Sequence, residues 1–372
     1  MGPVIADEIG RCGPISFARF MALALYDPKS GYYASGRAGV GKAGDFFTNV
    51  SVGPVFGEVL AGQFLEMWEA LGRPNDFTIV EQGANDAQLA CDVLDALCGT
   101  ALCDAAYAII EPFPVLRAIQ ADKLRGRRVS WFASPEDLPA FCGVHFSNEL
   151  FDAFPVHVVR SNGAGWDELF VTSSPGGFAW AARPPGAAVA EALASYPPRP
   201  EGYTTEVRVS HRALLDSLAS RLARGFVLAI DYGMSFESLL APHRSTGTLS
   251  CYDSHRRDGN PLDRPGEKDI TAHVDFTALA HDAVEAGFAL EGVADQHHFL
   301  VGASAAMLRD RDGCEPAPAV RKKLLQLRTL LHPESMGTQF HTILFTKEIA
   351  IRARLSGFQF ARDPGAVLQR NT

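Results

Sequence analysis

The chain is predicted to be an α/β protein: a doubly wound sheet with helices on both faces, an N-terminal helical extension and an inserted β-hairpin. Three observations predict it. Short apolar runs of strand length recur, among them FTIVEQG (Phe77 to Gly83), AYAIIEP (Ala106 to Pro112) and GFVLAIDYG (Gly225 to Gly233). Stretches with apolar residues at helical spacing separate them. Near-continuous apolar strands alternating with helices require a sheet covered on both sides.

The elements follow in order. ISFARFMALAL, between Pro14 and Leu25, carries apolar residues on a helical repeat behind Pro14 and Ser16, and predicts a short amphipathic helix. Six glycines between Gly31 and Gly53 mark a long specialised loop. Residues 54–71 then set Val55, Phe56, Val59, Leu60, Phe64, Met67 and Trp68 on one stripe, a helix. The strand from Phe77 leads to a helix over Ala87 to Leu97, and the strand from Ala106 to one over Val115 to Leu124. RVSWFA (Arg128 to Ala133) is a third strand, and GVHFSNELFDAFPV (Gly143 to Val156) a fourth that runs into a turn.

In the insertion, 158–210, WDELFVTSS and GFAWAAR flank Pro175-Gly176-Gly177, which predicts a hairpin grafted onto the sheet. After the fifth strand (Gly225 to Gly233), residues 234–272 are polar with little period. A helix (Asp275 to Ala286), a strand (Gly287 to Asp295), a helix (Ala303 to Leu331) and a last strand, FHTILFTK (Phe340 to Lys347), complete the reading. The regions are therefore 1–72, an extension contributing to the ligand site; 73–347, the core with its insertion and a substrate-side segment at 234–275; and 348–372, a tail.

Composition narrows the function. Of 372 residues, 47% are hydrophobic and 21% charged, and the formal net charge is −9, which fits a globular chain rather than a disordered one. The acidic balance, without a long basic run, argues against nucleic acid or an anionic membrane and suits a cationic partner. Seven cysteines lack metal or disulfide spacing and are expected to stay reduced. The apolar stretch near Phe20 is short and follows Asp7 and Glu8, so neither a signal peptide nor a span is expected, and cytoplasm is the default location.

An open α/β sheet binds ligands at the carboxyl ends of its strands. There EQGANDAQLA offers Glu81 and Gly83, with Asn85 able to take a left-handed conformation in place of a second glycine. An ordinary strand-to-helix turn would read the same way. Glu111, with Pro112 after it, ends the second strand, and its two oxygens match the paired hydroxyls of a ribose. Without GxGxxG spacing or a phosphate-binding lysine, a nucleoside ligand is favoured over a dinucleotide. SNELFDAFPVH gathers Asn148, Glu149 and Asp152, which suit a guanidinium or an amine being alkylated, or else a helix N-terminus. Asp231 and Tyr232 end the fifth strand. Asp45, Thr48 and Asn49 sit in a polar loop before an amphipathic helix. His297 and His298 are adjacent in a segment read as extended and would point opposite ways, so no metal is expected.

The pieces YDPKSGYY (Tyr26 to Tyr33), GDFFTNVSVGPVFGE (Gly44 to Glu58), VEQGANDAQLACDVL, SNELFDAFPVH, LAIDYG, PGEKDITAHVDF (Pro265 to Phe276) and QHHFL occur in this order across residues 26–345 with PESMGTQF (Pro333 to Phe340). Together they resemble the MidA-type S-adenosylmethionine-dependent methyltransferases, which include a mitochondrial complex I assembly protein arginine methyltransferase. The resemblance implies a class I methyltransferase core, Rossmann-like, whose last strand is antiparallel beside the sixth. It implies S-adenosylmethionine as cofactor and a protein arginine as acceptor, with a homodimer open to it. Carried over by position, Gly44, Asp45 and Thr48 cover the cofactor, Glu81, Gly83 and Asn85 form its first turn, and Glu111 and Pro112 meet the ribose. Asn148, Glu149 and Asp152 face the methyl and the acceptor, while Asp231, Tyr232, Asp269, Thr271, His273 and Asp275 lie on the substrate side. The family's first turn reads ELGPGRG where this chain has EQGANDA. Two alternatives therefore stand beside the leading one: an assembly factor that lost catalysis, and a small-molecule methyltransferase whose pocket is shaped by 234–272.

Overall fold

The computed structural model describes residues 1–35, 48–209, 211–253, 256–305, 318–332 and 336–368. Seven strands run in line through its central sheet, β1 (Phe77–Gln82), β2 (Ala106–Ile110), β3 (Val129–Phe132), β4 (Phe141–Asn148), β5 (Leu222–Met234), β6 (Ala289–Asp295) and β7 (Phe340–Lys347), and an eighth, the two-residue Val274–Asp275, pairs with the end of β5. Their order is β6-β7-β5-β4-β1-β2-β3. Neighbours from β5 to β3 are parallel, whereas β7 runs antiparallel between β5 and β6. The antiparallel last strand of the class I methyltransferase layout is thus in place.

Residues buried on opposite faces alternate along the strands, as the two-residue period requires. Phe146, Phe226 and Leu344 pack with helices α3 (Val55–Ala70) and α4 (Gln88–Leu97) on one face. Val80, Val227 and Ile343 pack with the helices His211–Arg221 and Phe276–Glu285 on the other. Close strand approach explains two glycines: a Cβ on Gly143 would sit 2.0 Å from the Thr78 carbonyl, and one on Gly225 would sit 1.9 Å from that of Gly143.

A second lobe stands over the carboxyl ends of the strands. It holds α1 (Gly2–Cys12), α2 (Phe17–Tyr26) and a five-stranded antiparallel sheet, with Phe17, Phe20, Val158, Leu169, Val171 and Ile270 in one core. The hairpin of Trp166–Ser174 and Gly177–Arg183 pairs as its composition predicts, but in this separate sheet rather than on the central one. Its aromatic face decides the matter, because Trp180 packs on Phe17 at 5.0 Å and Phe178 on Phe20 at 5.7 Å.

Other expectations are corrected. Helix α1 has no counterpart in the sequence reading, and α2 begins at Phe17, where Ser16 Oγ accepts the Arg19 N–H at 3.2 Å. Residues 234–272 are not irregular: they include a short helix, Phe236–Leu239, and a three-stranded sheet. In place of one helix from Ala303 to Leu331, a helix Gln296–Ala303 ends where that helix was expected to start, and another spans Pro318–Leu331, with 306–317 outside the described residues. His297 and His298 consequently lie on a helix and not on an extended segment.

Candidate active site

The carboxyl ends of β1, β2, β4 and β5 open into one cavity of about 380 Å³. From β1 comes Glu81, buried, its Oε2 accepting from the Tyr107 hydroxyl at 2.5 Å. Burial pushes its carboxyl up to about 7, against the lowering effect of Tyr107 and with a smaller push from Asp86. The chain then passes through three left-handed conformations: Gly83 at φ 79°, Asn85 at 46° and Ala87 at 62°. The turn therefore keeps a glycine-like path at two positions that carry Cβ atoms: Asn85, a residue type that visits this region readily, and Ala87, where it costs roughly 1–2 kcal/mol. Neighbours hold it there. Gln120 Nε2 donates to the Asn85 carbonyl at 2.8 Å, and Lys123 Nζ pairs with Asp86 at 2.6 Å. At Gly83 a Cβ would come within 3.2 Å of Leu150 Cδ1.

At the end of β2, buried Glu111 accepts the Phe113 N–H on Oε1 at 3.0 Å and Gln120 Nε2 on Oε2 at 3.1 Å. Burial pushes its carboxyl up, opposed by those two bonds and by Arg117. Each carboxylate oxygen carries a second lone pair that can accept another donor. Pro112 and Phe113 line the cavity beside it.

At the end of β4, Glu149 takes φ 55° and donates its N–H to the Ile230 carbonyl at 2.9 Å. A left-handed glutamate at a ligand cleft is stored strain that its surroundings must hold. Asn148 Nδ2 donates to Glu149 Oε1 at 3.0 Å, while Asn49 Nδ2 donates to Asn148 Oδ1 at 3.3 Å. Burial first, then the nearby Asp152 charge, pushes the Glu149 carboxyl up to about 8. Asp152, buried, accepts from the Tyr232 hydroxyl. Its carboxyl is also pushed up by burial, opposed by Tyr232 and Arg208.

The second lobe completes the walls. Tyr26, at the end of α2, donates its hydroxyl to the Ala153 carbonyl at 2.8 Å and stacks on Tyr33 at 5.4 Å. Tyr33 donates to Asp269 Oδ1 at 3.0 Å. Phe113 lies nearly parallel to Tyr26, at 8° and 6.4 Å. An aromatic row thus runs from the Glu111 end of the cleft to its acids.

Of the residues proposed from the sequence, Thr48, Glu81, Gly83, Asn85, Glu111, Pro112, Asn148, Glu149, Asp152, Tyr232 and Asp269 line this cavity together. Gly44 and Asp45 lie outside the described residues. Four others are not among the lining. Asp231 sits behind the wall, where its Oδ2 accepts the N–H groups of Leu150, Phe151 and Asp152 at 3.1, 2.8 and 3.3 Å. Asp275 caps the helix Phe276–Glu285 through Thr277 and Ala278, a local structural task. Thr271 is buried, and His273 packs edge-on against Tyr232 at 5.6 Å. Sequence reasoning missed Tyr26, Tyr33 and Phe113 as lining residues; the first two end the YDPKSGYY segment, which signalled them without assigning a role. Among the described residues, no cluster of His, Cys, Asp and Glu is arranged to hold a metal ion.

Residues 59–294 match a protein-family model described as "Putative S-adenosyl-L-methionine-dependent methyltransferase". The chain is 29% identical to the mitochondrial protein arginine methyltransferase NDUFAF7 of Homo sapiens, over 96% of this chain and 84% of that protein. It is likewise 29% identical to the Rattus norvegicus protein of that name, over 90% and 81%. Among solved structures it is similar to a COG1565 superfamily member from Burkholderia thailandensis bound to S-adenosyl-homocysteine, with a TM-score of 0.88 and 32% identity over 98% of this chain and 96% of that one.

Proposed function

The chain belongs to this family of S-adenosyl-L-methionine-dependent methyltransferases, and from that premise we propose that its acceptor is the guanidinium of a protein arginine. S-adenosylmethionine is its cofactor, supplying a methyl group already electrophilic on a sulfonium, so the protein's task is alignment. The residues fit such a ligand. Gly83 keeps side-chain bulk away from the turn, Asn85 holds its left-handed path, Glu111 has acceptor capacity for a ribose diol, and Pro112 and Phe113 offer an apolar face. Glu81, Thr48, Asn148 and Glu149 would meet the remaining polar groups.

One observation carries the acceptor: Glu149 and Asp152, from the turn after β4, and Asp269, from a distant segment, line the same cavity as Tyr26 and Tyr33. A guanidinium presents five planar donors and stacks on aromatic rings, which this combination matches better than it matches a compact ammonium. The acids would draw the positive charge away from the attacking nitrogen. Glu149, pushed up to about 8, would be returned to its carboxylate by a bound cation and can then take the proton released on transfer. The names of the curated relatives support the same acceptor. A small-molecule acceptor has less support, because residues 234–272 contribute Asp269 alone to the described lining.

The acidic composition favours a protein partner over nucleic acid or an anionic membrane, and a homodimer belongs to the same reading. No helix among the described residues is long and apolar enough to cross a membrane. The cytoplasmic expectation finds no support in the relatives, whose names are mitochondrial. Incubation with methyl-labelled cofactor and a lysate of the source cells tests the proposal: label on a protein arginine is expected, and label confined to small molecules would overturn it.

A further inference from the structure

Arg208 follows the strand Thr204–Val207 and was not singled out by the sequence. Its guanidinium reaches four carbonyls on two segments. Nη2 donates to Asp152 at 3.0 Å and Ala272 at 2.6 Å, Nη1 to His273 at 2.8 Å and Nε to Phe154 at 3.4 Å. Asp152 and Phe154 belong to the acidic turn after β4. Ala272 and His273 belong to the segment that carries Asp269 across the cavity.

We propose that Arg208 is a positioning residue for acceptor binding: one cation brackets the acidic turn against the 269–273 segment and sets the spacing of the Asp152 and Asp269 carboxylates. This rests on the acceptor reading above. A planar fork with five donors can hold four carbonyls at once, which a lysine ammonium with three cannot. Charge supports the geometry. Asp152, Asp231, Glu206 and Tyr232 face Arg208 and favour its cationic form against the cost of burial, and the neighbouring His211 is kept neutral by burial and by Arg208. Asp152 in turn faces Glu149, Asp231, Tyr232, Tyr26 and Tyr33, and Arg208 offsets the raised carboxyls of Asp152 and Asp231 and the raised Tyr26 hydroxyl. A mere structural staple would weaken both ligands equally. The positioning role weakens the cation alone.

The test uses the full chain saturated with S-adenosylhomocysteine and titrated calorimetrically with N-methylguanidinium between pH 6 and 9, for wild type, Arg208→Lys and Arg208→Met. S-adenosylhomocysteine affinity is expected to stay within about threefold, a small differential effect. Arg208→Lys should weaken the probe about tenfold with its pH midpoint unmoved, since charge remains and the bracket is lost. Arg208→Met should weaken it similarly and move the midpoint up by about one unit or more, since a carboxylate loses its cation. Should the methionine variant fail to melt cooperatively, the lysine variant carries the test. Probe affinity unchanged in Arg208→Lys, or lost in step with S-adenosylhomocysteine affinity, overturns the proposal. Wild type that binds S-adenosylhomocysteine but not the probe at any pH overturns the acceptor reading, and this inference with it.

Discussion

Glu149 combines left-handed strain, a charged neighbour and burial at the mouth of the cleft, and its chemistry is therefore readable by pH. Glu149→Gln is expected to lower turnover by about 10²- to 10⁴-fold, the range for losing a general base; intact turnover would remove Glu149 from catalysis. Stability gives a second reading. An acid raised from 4.5 to about 8 on folding favours the native state at low pH and loses that contribution as pH rises from the unfolded value through the folded one. The melting temperature of Glu149→Gln relative to wild type should accordingly climb between pH 5 and pH 9. At Gly83, valine would need an unfavourable φ of 79° and a Cβ 3.2 Å from Leu150 Cδ1. Gly83→Val should weaken S-adenosylhomocysteine binding at least about 100-fold, or roughly 2.7 kcal/mol; binding retained at wild-type strength would place the cofactor elsewhere. The residue types at these positions were legible in the sequence. Their separation into cavity wall and support was not, because Asp231 looks like Asp152 until its four backbone donors are seen.

Elements were legible where their period was strong and their partners local. The inner strands emerge from apolar runs because a strand buried on both faces must be apolar throughout, and the two edge strands, Val129–Phe132 and Ala289–Asp295, are less buried. The first turn shows the opposite. Losing two glycines from the family pattern suggests a weakened cofactor turn, yet Asn85 and Ala87 still adopt left-handed conformations, held by the adjacent helix and Gln120. Ala87→Gly should then stabilise the protein by about 0.5–1 kcal/mol, since it removes a Cβ from a left-handed position against some gain in unfolded-chain entropy. Chemical denaturation measures this, and a loss of stability would show that the Ala87 methyl, fully buried, contributes more packing than strain. The hairpin was legible as a hairpin, but its address depended on aromatic contacts with α2, far away in sequence.

The whole molecule turns a net charge into a local one. Glu81, Glu111, Glu149, Asp152 and Asp269 line one cavity, and burial pushes four of these, Glu81, Glu111, Glu149 and Asp152, towards their neutral forms. A cationic acceptor would restore their charge on arrival. Its KM should rise several-fold between about 20 and 200 mM salt, because screening shortens the reach of such attraction, with S-adenosylhomocysteine affinity little affected. A KM insensitive to salt would argue against a cationic acceptor. The layered architecture, the antiparallel finish of the sheet through family resemblance, and most of the acids at the strand ends could all be read from the residues alone, because hydrophobic period and strand-end position are local properties. Only the folded chain reveals which acids share a cavity, that two tyrosines from an N-terminal extension wall it, and that Arg208 brackets its two sides. Those facts depend on contacts between segments distant in sequence, such as Tyr33 with Asp269, Tyr26 with Ala153 and Arg208 with Asp152 and Ala272, and no local pattern encodes them.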